Sequence, residues 1–119
     1  METNVQEIKN NLSQFHGSNL IYEEKNFGFL YTEGIHYMVD ACKAVWLLTD
    51  SGIQCKHLAK QTSYIRVRLI KNADSSAVVI YTDGNNNEIF RKEYFVTDFP
   101  LEEIIFWFVD NTLLLPSEY

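Results

Sequence analysis

Basic side chains able to bind phosphate or carboxylate groups occur in two short segments of the chain. Arg66 and Arg68 are two positions apart, and Arg91 is followed directly by Lys92. Because a planar guanidinium group donates paired hydrogen bonds to such groups, these residues are candidates for contacting RNA, a nucleotide or an acidic protein surface. The alternative is a solvated sheet face on which the arginines pair with acidic residues such as Glu93.

A second group of candidate contact residues combines acidic and aromatic side chains near the C-terminal end. Glu102 and Glu103 could occupy the positively charged nucleic-acid channel of a partner protein. They precede Phe106 and Trp107 in the segment LEEIIFWFVD, which is apolar nearly all round if it is helical. Either the following LLLP segment folds over these aromatic residues, or they form an interface with a partner or a second copy.

The cysteines and histidines do not form a metal-binding or catalytic pattern. Neither Cys42 nor Cys55 belongs to a C-x-x-C pair, and no two of the three histidines are four positions apart. We therefore predict no metal and no cofactor. A Cys-His hydrolase would need one of these thiols beside a histidine, whereas a cysteine in an apolar helical segment is more typical of a core.

Length and charge indicate one globular domain with an uneven charge distribution. The 119 residues suffice for a single core, and the net charge is -6. The stretch from Lys60 to Glu93 nevertheless carries six basic and four acidic residues, so the predicted helices are acidic and the predicted sheet is basic. The longest apolar run, Ile104 to Val109, is too short to span a membrane. We expect a cytoplasmic protein without membrane contact.

The hydrophobic spacing predicts an α+β fold in the order α-α-β-β-β-α, with a three-stranded antiparallel meander packed against N-terminal helices and one C-terminal helix. The second helical stretch is either one long helix or two in series, and residues 18–29 form a connector with at most a short strand. The predicted helices span about 3–15, 33–57 and 100–110, and the predicted strands span about 63–71, 76–83 and 88–96.

Local turn and capping chemistry accounts for a four-residue word that occurs twice. YTEG begins at Tyr31 and YTDG begins at Tyr81. Thr32 is placed to cap a helix, whereas Gly84 falls in a hairpin turn, so the two words do not indicate a repeat. Thr3 and Gly17 are the expected caps of the first helix.

Six apolar side chains are predicted to lie in the core because they fall on the apolar faces of these elements. They are Val39, Trp46, Val67, Val79, Ile104 and Phe108.

Several short motifs of the sequence resemble those of a family of small bacterial and phage proteins of unknown function. The shared words are Y-T-[DE]-G, T-D-F-P-L-x-E-I and L-L-L-P-S-E-Y, here at 31–34, 97–104 and 113–119, and the resemblance covers most of the chain. The family has no established activity, so the resemblance implies no catalytic residues. Its occurrence in phages and mobile elements implies a protein that blocks a host defence complex.

These observations favour a non-enzymatic binding or inhibitor protein. Its expected partner is a host defence nuclease complex, as for an anti-CRISPR protein, contacted through the protein or its guide RNA. The alternative function is a nucleotide-binding sponge or a small hydrolase that uses the arginine-bearing sheet face. A module that only assembles with itself or with a structural partner is a third alternative, and homo-oligomer formation stays open.

Overall fold

The computed structural model describes residues 5–16 and 20–119 of the chain. Three helices precede or interrupt the strands, and a short 3-10 turn, Pro116–Glu118, follows the last strand. The helices are α1 (Val5–Leu12), α2 (Glu33–Cys42) and α3 (Val45–Leu58). The strands are β1 (Ile21–Glu24), β2 (Phe29–Thr32), β3 (Tyr64–Lys71), β4 (Ala77–Thr82), β5 (Glu88–Tyr94), β6 (Glu103–Val109) and β7 (Thr112–Leu114).

All of these strands join one seven-stranded mixed sheet in the order β1-β2-β7-β6-β3-β4-β5. Only the pairing of β2 with β7 is parallel, and the other neighbours are antiparallel. The predicted meander is present as β3, β4 and β5. The prediction of a three-stranded sheet in the order α-α-β-β-β-α is wrong, because four further strands extend that meander beyond β3.

The predicted helix over 100–110 is wrong, because most of that segment is strand β6. Leu101, Ile104, Ile105 and Phe108 do have helical spacing, but a short apolar run fits either period. As a strand it pairs along its whole length with β3. Its even-numbered apolar residues are buried, while Ile105 and Trp107 lie on the other face. This arrangement explains why the segment is apolar nearly all round.

The remaining strands, of which only a short one within 18–29 was allowed for, have weak local signals. β1 and β2 lie within the predicted connector and its following residues, where apolar and polar residues alternate poorly. β7 has three residues, and it forms from the LLLP segment by pairing with β6 on one side and β2 on the other. The LLLP segment therefore extends the sheet beside β6, instead of folding over a helix.

The predicted second helical stretch is two helices in series. Lys43 adopts a left-handed conformation (φ 53°), which ends α2, and α3 begins two residues later at Val45. Thr32 caps α2 as predicted, since its side chain accepts a hydrogen bond from the Ile35 amide. The predicted caps of the first helix, Thr3 and Gly17, lie outside the described residues.

The core lies between the helices and one face of the sheet. Five of the six predicted core residues are buried there: Val39, Val67, Val79, Ile104 and Phe108. Trp46 is only partly buried; it packs at the edge of the core against Tyr94 and Phe99, so its predicted full burial is wrong. None of the helices in the described ranges combines the length and the apolar character that a membrane span requires.

Candidate binding surface on the open sheet face

One face of the sheet is buried by helices, and solvent reaches the other, which we call the open face. Along β3, Ile65, Val67 and Leu69 are fully buried, whereas Arg66 and Arg68 alternate with them and lie on the open face. The alternation predicted from the sequence is thus confirmed for this strand. The two arginines are presented on a rigid central strand.

The strand register places an aromatic side chain beside Arg66. Arg66 is opposite Trp107 of β6 on one side and Thr82 of β4 on the other. Arg68 occupies the next row, between Ile105 and Ile80. The open face therefore presents each guanidinium group among apolar and aromatic neighbours.

Trp107 is the centre of an aromatic cluster on this face. Its ring centroid is 5.3 Å from that of Tyr64 and 5.2 Å from that of Tyr119, both in edge-on arrangements. Partial burial raises the pKa of Tyr64, while the nearby Arg66 charge opposes that rise. The three rings and Arg66 thus form one connected group, which we call the Trp107 cluster. Its members are Tyr64, Arg66, Trp107 and Tyr119.

Tyr64, Arg66 and Trp107 of this cluster line an open cleft of about 520 Å³. Asn86 of the β4–β5 turn and Pro116 of the 3-10 turn contribute to its rim, and Ile105 also lines it. Asn86 has a left-handed backbone (φ 65°) in a turn held by Asp83, whose side chain accepts hydrogen bonds from the Asn85 and Asn87 amides. The cleft is therefore bounded by ordered backbone on two sides.

Ion pairs engage two of the three arginines on the open face. Arg68 pairs with Glu103, and Arg91 pairs with Glu88. Within residues 5–16 and 20–119, Arg66 has no such carboxylate partner. Its charge is consequently available to an external group, whereas an external group must compete for the other two arginines.

Guanidinium and carboxylate charges balance on the open face formed by β3 to β6. The contributing residues are Arg66, Arg68 and Arg91 with Glu88, Glu93 and Glu103. The basic character predicted for the sheet thus does not produce an excess of positive charge on this surface.

The other predicted contact residues lie apart from the Trp107 cluster. Lys92 lies on the helix side of β5, where its Nζ is 3.0 Å from an Asp50 carboxylate oxygen. Phe106 is buried against the helices at 1% exposure, so it is not part of an accessible surface. Glu102 and Glu103 are exposed beside a groove at the end of β3 and the start of β6, which Lys71 also lines.

Tyr64, Asn86 and Tyr119 were not identified as candidate contact residues from the sequence. Tyr64 shares the period-two spacing of Arg66 and Arg68, so the same pattern could have revealed it. Asn86 lies in a turn, and Tyr119 contacts Trp107 only because the C-terminal segment folds beside β6. Those two positions have no signal in local sequence.

A buried carboxylate fixes the segment that carries Tyr119. Glu118 accepts hydrogen bonds from Thr32 Oγ1 (2.7 Å), the Gly34 amide (3.0 Å) and the Leu115 amide (3.0 Å). The negative charge lies at the N-terminal end of α2, where the helix dipole favours it. The motifs YTEG and LLLPSEY are therefore joined by these hydrogen bonds.

Neither cysteine is arranged for nucleophilic chemistry. Both thiols are free and buried. Burial raises the pKa of Cys42 to about 11 and raises that of Cys55 as well, so both are protonated at neutral pH. In the described part of the chain, no group of three potential metal ligands is present.

The family model described as "Family of unknown function (DUF6876)" matches residues 6–119, so the chain belongs to that family. Comparison with curated proteins and with solved structures found no match.

Proposed function

We propose that this member of the DUF6876 family is a non-enzymatic binding protein whose Trp107 cluster is the contact surface for a protein partner. The observation that supports this proposal is the placement of the Arg66 guanidinium group, which has no ion-pair partner within the described ranges, beside partly exposed aromatic rings on the sheet. Tryptophan, tyrosine and arginine are the residues that most often dominate the binding energy of protein interfaces.

The charge of the surface favours a protein partner over a nucleic acid. Proteins that bind nucleic acid draw much of their affinity from an excess of Lys and Arg at phosphate groups. The open face carries balanced charges, and the whole chain has a net charge of -6. An arginine beside aromatic rings, without an ion pair in the part of the chain that the structure describes, instead suits a partner surface with a single carboxylate and an apolar patch.

The test is affinity capture with matched variants, followed by measurement of the purified pair. Trp107→Ala and Arg66→Gln should each lose the partner, whereas Glu23→Lys, on the exposed distant strand β1, should retain it. Direct titration of the partner should then show at least about a tenfold loss of affinity for Trp107→Ala. Undiminished binding by both open-face variants would refute this assignment of the surface.

Treatment with ribonuclease and a salt series distinguish RNA contact from protein contact. A protein interface centred on one ion pair should survive ribonuclease and weaken only modestly as salt rises. If ribonuclease abolishes capture and binding weakens steeply as salt rises, the partner is RNA and not a protein.

The resemblance to small phage proteins extends the proposal to a class of partner, a bacterial defence nuclease complex. An inhibitor of this kind would restore transformation of a plasmid that the nuclease otherwise destroys. Trp107→Ala, which should weaken binding, should also restore transformation less than the wild-type protein does. If the nuclease still destroys the plasmid fully in the presence of the wild-type protein, that nuclease is not the partner.

A nucleotide is the second candidate ligand, favoured by the size of the cleft beside Arg66. A cleft of about 520 Å³ lies in the range of small-molecule sites, and a base could stack on Trp107 while Arg66 binds phosphate. Thermal-shift measurements with cyclic and linear nucleotides test this directly. A stabilisation that Arg66→Gln abolishes would support the nucleotide, and no shift with any nucleotide would eliminate it.

A further inference from the structure

Strand β5 forms an accessible edge of the sheet. It is the last strand in the sheet order, and within the described residues it pairs only with β4. Its seven residues present a row of backbone groups that β4 does not use, and Glu88 and the segment 90–93 are exposed. Such an edge is a template for pairing with another strand. The opposite edge strand, β1, has only four residues, two of them acidic.

Exposed apolar side chains collect at the same edge. Phe95 and Val96 follow β5 directly and are 96% and 80% exposed. Phe90 on β5 and Ile53 on α3 are also exposed, and both line a small cleft beside Lys92. An apolar cluster next to a free strand edge indicates that this edge is covered when the protein functions.

We propose that β5 is a self-association edge, through which two copies of the chain pair antiparallel around a two-fold axis at Lys92. The sheets of the two copies then form one continuous sheet. Because the two-fold axis is perpendicular to the sheet, the open faces of the two copies lie on the same side of the combined sheet. With Lys92 on the axis, Arg91 of one copy, which also pairs with its own Glu88, is therefore opposite Glu93 of the other. The guanidinium group then lies between two carboxylates, and this arrangement occurs twice.

Charge complementarity selects this register over its neighbours. Moving the axis to Arg91 places that arginine opposite itself, and moving it to Glu93 places that carboxylate opposite itself. With the axis at Lys92, neither of these like-charge contacts forms, and two Arg91–Glu93 pairs form instead. On the helix side, the same register places Phe90 opposite Tyr94, which is a favourable aromatic cross-strand pair.

The remaining like-charge contact at the axis is compensated within each copy. Two Lys92 side chains meet there, but each is already paired with its own Asp50 at 3.0 Å. Asp50 also accepts a hydrogen bond from the Tyr94 hydroxyl at 2.7 Å, which fixes the carboxylate at the edge. Two lysines and two carboxylates therefore form a neutral cluster at the centre of the interface.

The proposed dimer accounts for the exposed apolar residues and leaves the open face accessible. In this register, the regular pairing runs from Phe90 to Tyr94, and Phe95 and Val96 of one copy follow it beside the irregular start of β5 in the other. The two Trp107 clusters remain uncovered on the same side of the extended sheet. Self-association through β5 is thus independent of the partner binding proposed above, and either proposal can fail without the other.

The experiment measures mass against protein concentration by sedimentation equilibrium with the full chain. Wild type should pass from the 13.9 kDa monomer to a dimer between micromolar and millimolar concentration. Arg91→Glu and Glu93→Arg should each raise the dissociation constant roughly tenfold or more, because like charges then face each other twice. Glu23→Arg on β1 is the matched control and should dimerise as wild type does.

Two combinations of these variants test the register itself. The double variant Arg91→Glu with Glu93→Arg restores both opposite-charge pairs and should dimerise again. A mixture of the two single variants should form a heterodimer more tightly than either variant associates with itself. A wild-type protein that stays monomeric throughout, or a dimer that all these substitutions leave unchanged, would overturn the proposal. Failure of both combinations to restore association would also overturn it.

Discussion

The carboxylate of Glu118 accepts a hydrogen bond from Thr32 Oγ1 across 86 positions of sequence. The same carboxylate accepts from the Gly34 amide, and a Cβ atom at Gly34 would overlap it. Thr32 itself caps α2, so one buried group joins the start of that helix to the end of the C-terminal segment. This contact positions Tyr119 against Trp107 on the open face.

Replacing Glu118 by Ala should destabilise the protein by about 2 to 3 kcal/mol, because the donors from Thr32, Gly34 and Leu115 lose a charged acceptor in a buried site. Urea denaturation followed by fluorescence would measure the free energy of unfolding. The control Glu102→Ala changes an exposed carboxylate and should alter that free energy by less than about 0.5 kcal/mol. Equal effects of the two substitutions would show that the buried hydrogen bonds contribute nothing specific.

Replacing Gly52 by Ala should destabilise the protein, although the same change inside a helix normally stabilises it by about 0.5 to 1 kcal/mol. A Cβ atom at Gly52 of α3 would overlap the fully buried ring of Phe29. Overpacking of this kind typically costs about 1 to 3 kcal/mol. The melting temperature of Gly52→Ala should therefore fall.

Gly84→Ala is the matched control for that change, because a Cβ atom there would lie 3.6 Å from the nearest side-chain atom, in Tyr64. The melting temperature of Gly84→Ala should stay near that of wild type. A Gly52→Ala protein as stable as its parent would mean that the ring of Phe29 moves aside at no cost.

The parts of the fold that could be predicted from the sequence are those specified by local pattern. β3, β4 and β5 have period-two alternation or β-branched residues and are separated by short turns rich in Asp, Asn and Gly. Thr32 was recognisable as a cap because capping uses a side chain and an amide three residues apart. The local physics of these segments agrees with their final structure.

The segments that were predicted wrongly are decided by distant partners. The sequence of β6 is compatible with a helix. It forms a strand because β3, more than thirty residues earlier, supplies hydrogen bonds along its whole length. β7 is a strand only because β2 and β6 lie on either side of it. The Trp107 cluster likewise combines Tyr64, Trp107 and Tyr119 from three separate segments, so spacing could place Tyr64 beside the arginines but could not reveal its contact with Trp107 or that of Tyr119.

Adjacent aromatic residues of β6 should respond differently to truncation. Phe106→Ala removes a ring that is 1% exposed in the core and should cost about 3 to 5 kcal/mol. Trp107→Ala removes a partly exposed ring on the open face and should cost only about 1 kcal/mol. Urea denaturation of both variants measures this difference. Similar losses for the two would contradict the assignment of opposite faces to these neighbours.

The buried thiols should make the protein sensitive to alkaline pH while leaving it inert to alkylation when folded. Burial raises the pKa of Cys42 from 9.0 to about 11, so the thiol stays protonated in the folded state where the unfolded chain would ionise. Stability from this group is fully present below pH 9.0 and is lost as the pH rises toward about 11.

Iodoacetamide at pH 8 should therefore modify neither Cys42 nor Cys55 on the time scale at which it modifies both in urea, as mass spectrometry would show. The variant Cys42→Ala should lose less stability than wild type between pH 9 and pH 11, because one of the groups that ionise on unfolding is absent. Alkylation of the native protein as fast as of the unfolded chain, or identical alkaline losses for the two proteins, would place Cys42 at the surface instead of beneath the sheet.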